Sequence, residues 1–142
     1  MEDVIQYLTM KNKYYEKFYS LSRHFLEQTH KNKWDNLSFF VENRERLLNL
    51  IRSLDIKIAR AFKECTLNEI EMDSYRNTLK KLFDKKKILG DQIIGVDLQL
   101  ISKIDAFKTE TIKDLKSNLK TSSHLDSFER TSQTKRTRTK DA

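Results

Sequence analysis

The chain runs for 142 residues without a single proline and with only two glycines, Gly90 and Gly95. These two residue types interrupt helices most strongly, proline by losing an amide donor and clashing with the preceding turn, glycine by its backbone entropy. A chain this poor in both is expected to be all-α. Charged residues make up 35% and hydrophobic ones 37%, a balance that suits long helices burying one stripe each better than a thick globular core. The expected architecture is an antiparallel helical bundle or hairpin of three long helices.

Apolar spacing places those helices. Val4, Tyr7, Tyr14, Phe18, Leu21 and Phe25 recur at heptad-like positions, with Lys11 and Gln28 in the two remaining slots, so the first segment offers a seam to another helix. Polar residues at 30–33 then break the pattern, as a short connection between antiparallel helices does. A second helix is expected from about Trp34 to Glu64, with Leu37, Phe40, Val41, Leu47, Leu48 and Ile51 on one face and Leu54, Ile58, Ala61, Phe62 and Cys65 continuing it. Trp34 reads as a hydrophobic staple at its start. Arg44 falls on the same apolar face, where a guanidinium must either snorkel to the edge or meet an acid from a neighbouring helix. It is expected to be paired within the bundle, as a structural fixture.

Thr66 and Glu69 have the form of a capping box, and Asp73 or Ser74 offers a second start, so a short helical piece before the main third helix fits the spacing. From there Tyr75, Leu79, Leu82, Leu89, Ile93, Val96, Leu100, Ile104 and Phe107 run almost unbroken, followed by Ile112, Leu115 and Leu119. Gly90 and Asp91 could end one helix and begin another, or the glycines could admit a close neighbour. The apolar register carries across both glycines, which favours a continuous helix. About 30 residues make roughly 45 Å of helix and about 50 make roughly 75 Å, so the first two helices cannot cover the third. Its final part is expected to fold back as a fourth helix, to pair with a second copy in a homodimer, or to take a partner.

The formal net charge is +7, and much of it lies in the stretch from Arg130 onward, SQTKRTRTKDA included. That stretch has too little apolar surface to offset the entropy of ordering, so residues 1–129 are read as the helical domain and 130–142 as a basic disordered tail. Lys80, Lys81, Lys85, Lys86 and Lys87 are the best nucleic-acid candidates, but they wrap around a helix with Leu82 and Phe83 among them. A solvated face with no specific nucleic-acid binding is the expected reading.

Catalytic chemistry finds little support. His24, His30 and His124 form no i, i+4 metal pair, no HExxH, CxxC or glycine-rich phosphate loop occurs, and Cys65 closes an apolar stripe with no base patterned beside it. No enzyme, no metal and no cofactor are expected. A lone cysteine, no long apolar run and the N-terminal MEDVIQYLTM point to a cytoplasmic protein without membrane insertion.

NKWDNLSFFVENRERLLNLI, at 32–51, resembles the start of the second helix in the FlgN/FliT group of flagellar type III export chaperones, whose pattern is met by Trp34, Asp35, Leu37, Arg44, Leu47 and Leu48. ILGDQIIGVDLQLISKI is similar to that group's long C-terminal helix, with Ile93, Asp97, Leu100 and Ile101 at the matching positions. The similarity of order and spacing covers roughly residues 5 to 128. Where members of the group often carry a tyrosine that contacts the export gate, this chain has Phe128. The resemblance implies a cytoplasmic chaperone that holds the C-terminal helical segment of a hook-associated or filament-cap protein and delivers it to the export gate and its ATPase components. Leu98, Ile101, Ile112, Leu115 and Leu119 are then the expected apolar contacts. A coiled-coil stalk or assembly factor would show similar heptads, although Arg44 and Asp55 interrupt a sustained seam. A basic nucleic-acid-binding protein is the third class.

Overall fold

The computed structural model describes the backbone of residues 1–132 and the side chains of residues 1–120. It contains α1 (Glu2–His30), α2 (Leu37–Glu64) and α3 (Glu69–Ser132), with no strand among the described residues. Two compact units are distinguished, Met1–Ile101 and Ser102–Ala142.

The first unit is a three-helix antiparallel bundle. At one end Phe25 and Leu26 of α1 pack with Phe40 of α2 and with Val96 and Leu100 of α3. At the other, Val4 and Leu8 of α1 meet Ile58 of α2, with Leu79 and Leu82 of α3 against them. Residue numbers on α2 therefore fall as those on α1 and α3 rise.

A Schellman motif closes α1. The amide of Asn32 donates to Thr29 O (3.0 Å) and that of Lys33 to Gln28 O (2.9 Å), while Asn32 sits in the left-handed region at φ 59°. Asparagine is among the few residues that tolerate this conformation. The second helix begins at Leu37, three residues after the expected Trp34. Trp34 stays in the connection because its ring stands edge-on to Phe25 of α1, centroids 6.0 Å apart.

The start of α3 also differs from expectation. Asn68 and Glu71 cap it, not Thr66 and Glu69: Asn68 Oδ1 accepts from the Glu71 amide (2.8 Å) and Asn68 Nδ2 donates to Glu71 Oε1 (3.0 Å). Asp73 and Ser74 start no second helix, because Ser74 Oγ donates back to Glu71 O (2.6 Å) and Asp73 pairs with Arg76 inside the same helix. No short preceding piece and no fold-back fourth helix occur among the described residues. The helix passes through both glycines unbroken, neither has positive φ, and a Cβ at either would meet nothing within 4 Å. Close approach of a neighbour is therefore not what they permit.

The seam of α1 is shifted from the expected one. Val4, Lys11, Phe18 and Phe25 are buried as anticipated, but the alternate slots are Leu8, Ser22 and Thr29, while Tyr7, Tyr14, Leu21 and Gln28 are only half-buried. The cause is that α1 packs against α2 and α3 together, so the middle of its buried stripe lies between them and the bulkier residues flank it. Small side chains at Ser22 and Thr29 suit that middle line.

In the second unit every side chain from position 108 to 120 is exposed. α3 is described as far as Ser132, and residues 133–142 of the expected tail lie outside the described residues. No helix among the described residues is long and apolar enough to cross a membrane.

Candidate partner-binding surface

On α2, Phe40, Arg44, Leu47, Ile51, Leu54 and Ile58 follow one another at steps of four and three, so Arg44 occupies a slot of the inward stripe. On α3, Asp97 follows buried Val96 and lies beside Ile93 and Leu100. The two meet. Arg44 Nη1 donates to Asp97 Oδ1 (2.9 Å) and Nη2 to Oδ2 (2.8 Å), and the guanidinium carbon lies 4.5 Å from the centre of the Phe18 ring on α1. Both side chains remain partly exposed, 29% for Arg44 and 24% for Asp97, so the fork sits at the rim of the bundle.

Val41 and Leu48, three before and four after Arg44, share its face of α2, while Ile94 and Ile101 stand in the same relation to Asp97 on α3. The fork thus brings two apolar rows side by side. Leu48 is half-buried, whereas Val41, Ile94, Ile101 and neighbouring Leu98 are exposed. Val41 was expected on the buried stripe of α2, as was Phe62, which is also exposed. α2 meets α3 through Phe40, against Val96 and Leu100, and through Arg44, while Val41 stays outside that contact. Ile94 joins the expected Leu98 and Ile101 among the exposed residues here, and its step of four before Leu98 is the sequence signal for it.

The remaining expected contacts, Ile112, Leu115 and Leu119, belong to the second unit and are exposed at helical spacing. Phe128 lies outside the residues whose side chains are described. Trp34 packs on the core cluster of Phe25, Phe40 and Leu100.

A second polar group lies inside the bundle. Lys11, nearly buried on α1, is salt-bridged to Asp55 of α2, and half-buried Lys86 of α3 is close enough to interact with both. Beside them Asn12 Nδ2 donates to Leu82 O (3.1 Å) and Lys85 pairs with Glu16 (2.7 Å). Burial opposes the charge on Lys11, but the Asp55 hydrogen bond and the charges of Tyr15 and Asp55 outweigh it and raise its pKa. Burial and then the Lys11 ammonium lower that of Lys86. Asp55 is ion-paired with Lys11 alone, and Lys86 lies within electrostatic reach of both, so this polar group ties α1, α2 and α3 together. Cys65 is half-buried at the end of α2, its amide donating to Phe62 O (3.2 Å). Among the described residues no group of three or more His, Cys, Asp or Glu is placed to hold a metal ion.

Compared with protein-family models, curated proteins and solved structures, the chain has no significant match.

Proposed function

We propose that the chain is a cytoplasmic, non-enzymatic export chaperone of the FlgN/FliT type, which holds the C-terminal amphipathic helix of a flagellar hook-associated or filament-cap protein and hands it to the export gate and its ATPase components. The observation that carries this reading is the uncovered apolar surface: Val41, Ile94, Leu98 and Ile101 around the Arg44–Asp97 fork in the first unit, and Ile112, Leu115 and Leu119 in the second. Contiguous exposed apolar rows are the feature by which a helix recognises the apolar face of another.

A nucleic-acid role has less support, because Lys85 is engaged by Glu16 and Lys86 lies against Lys11 and Asp55. These cations do not form a free phosphate-binding stripe.

Capture of stoichiometric partners from the native cell tests the class, and an axial protein of the flagellum is the expected partner. Titration of that protein's C-terminal peptide then tests the surface. Burying one leucine is worth about 1.5–3 kcal/mol, so Leu115→Asp with Leu119→Asp, and separately Leu98→Asp with Ile101→Asp, should each weaken binding at least about a hundredfold. Undiminished affinity in both pairs overturns the assignment of the surface, and absence of any axial partner overturns the function.

A further inference from the structure

Along α3, positions 94, 98, 101, 105, 108, 112, 115 and 119 follow at alternating steps of four and three, the spacing of a coiled-coil seam. All of these side chains are exposed. They form a line distinct from Leu89, Ile93, Val96 and Leu100, which are buried in the bundle. Every position is Ile or Leu except the central two, Asp105 and Lys108. The order of steps reads the same from either end.

We propose that this line is the seam of an antiparallel homodimer, in which α3 of one copy lies against α3 of a second about a two-fold axis midway between positions 105 and 108. In that register Asp105 of each copy faces Lys108 of the other. Outward from the centre, Ile101 faces Ile112, Leu98 faces Leu115 and Ile94 faces Leu119. Apolar residues meet apolar residues throughout, and both central charges meet their opposites.

The same residues disfavour the alternatives. Parallel pairing sets Asp105 on Asp105 and Lys108 on Lys108, two like-charge contacts at the centre of the seam. Sliding the antiparallel pair by one heptad in either direction places both charges against Ile or Leu of the other copy, which leaves them buried and unpaired. The charge pair thus selects both orientation and register, and charge complementarity singles out a second copy of this chain as the occupant. The seam spans about 38 Å of helix. It stands independently of the chaperone reading. Where a client is also bound, client and second copy compete for Ile94, Leu98, Ile101, Ile112, Leu115 and Leu119.

Sedimentation equilibrium of the full chain tests this, with helix content by circular dichroism as the folding control. The wild type should dimerise below about 100 µM. Asp105→Lys sets Lys against Lys108 twice per dimer and Lys108→Asp sets Asp against Asp105 twice, so each should weaken the dimer at least about tenfold. The combined variant Asp105→Lys with Lys108→Asp restores both attractions in the antiparallel register and should return to wild-type dimerisation. In a parallel register it would merely exchange one like-charge pair for another. A wild type that stays monomeric at about 100 µM, a dimer indifferent to the single changes, or a combined variant as weak as the single ones would each overturn the proposal. Client binding takes no part in this readout, so failure of one reading leaves the other standing.

Discussion

Arg44 on α2 and Asp97 on α3 are joined by two parallel hydrogen bonds of 2.9 and 2.8 Å, with the Phe18 ring of α1 4.5 Å from the guanidinium carbon. All three helices of the bundle meet at this point. The planar fork matches the carboxylate in a way that a lysine cannot. Arg44→Ala removes the fork and the ring contact and leaves Asp97 unpaired, which should cost about 2 kcal/mol, tempered by the partial exposure of the pair. Arg44→Lys should recover less than half of that loss. Urea denaturation of the three proteins provides the measurement, and equal stability of Arg44→Ala and wild type would show the pair to be energetically idle.

Lys11 and Asp55 form a different kind of contact. Lys11 is nearly buried and Asp55 is half exposed, so the acid compensates a desolvated ammonium more than the ammonium stabilises the acid. Asp55→Asn should therefore destabilise the bundle by about 1–3 kcal/mol, because it strands the lysine. Lys11→Met added to Asp55→Asn removes the stranded charge and should recover most of the loss. Additive effects of the two changes in a double-mutant cycle would show that the pair is not coupled.

Much of the fold was legible in the sequence. Three helices with approximate bounds follow from apolar periodicity and from the lack of proline, and the need of Arg44 for an acid follows from its place on an apolar face. Which acid it meets depends on the offset between α2 and α3, a quantity set by packing and not by local pattern. Along α1, steps of three and four admit two interleaved registers, and apolar content alone selects the one that is only half-buried. Tyr7, Tyr14 and Leu21 are the more apolar choice, whereas burial between two helices favours the narrower Ser22 and Thr29. The same ambiguity hid Ile94, since α3 carries a buried and an exposed line one residue apart at Ile93 and Ile94. Only the placement of α1 and α2 decides which line is covered.

Lys86 gives a pH dependence of defined sign. Burial and the neighbouring Lys11 ammonium hold its pKa below the ordinary 10.5, so the folded chain binds that proton less tightly than the unfolded chain. Protonated Lys86 thus subtracts from stability at neutral pH, and the deficit disappears as pH rises through the lowered folded-state value toward 10.5. Lys11 has the opposite sign: its pKa is raised above 10.5, so its contribution is fully present at neutral pH and is lost only as pH rises through that higher value. Lys86→Met should accordingly be more stable than wild type near neutral pH, with an advantage that shrinks as pH rises toward 10.5. Denaturant midpoints of the two proteins across that range test it, and an advantage that grows with pH would reverse the assigned sign.

Gly90 and Gly95 carry the last prediction. Both lie inside α3 without positive φ, and an added Cβ would meet nothing within 4 Å at either site. Neither the backbone conformation nor a close neighbour requires glycine, while each glycine leaves the unfolded chain more freedom to lose on folding. Gly90→Ala and Gly95→Ala should each stabilise the chain by about 0.5–1 kcal/mol, with near-additive effects when combined if the two sites act independently. The check is an increase in urea midpoint with an unchanged slope, since the folded surface is hardly altered. A loss of stability at Gly90 with a gain at Gly95 would mean that α3 needs to bend at the first glycine, the break that Gly90 followed by Asp91 suggests in the sequence.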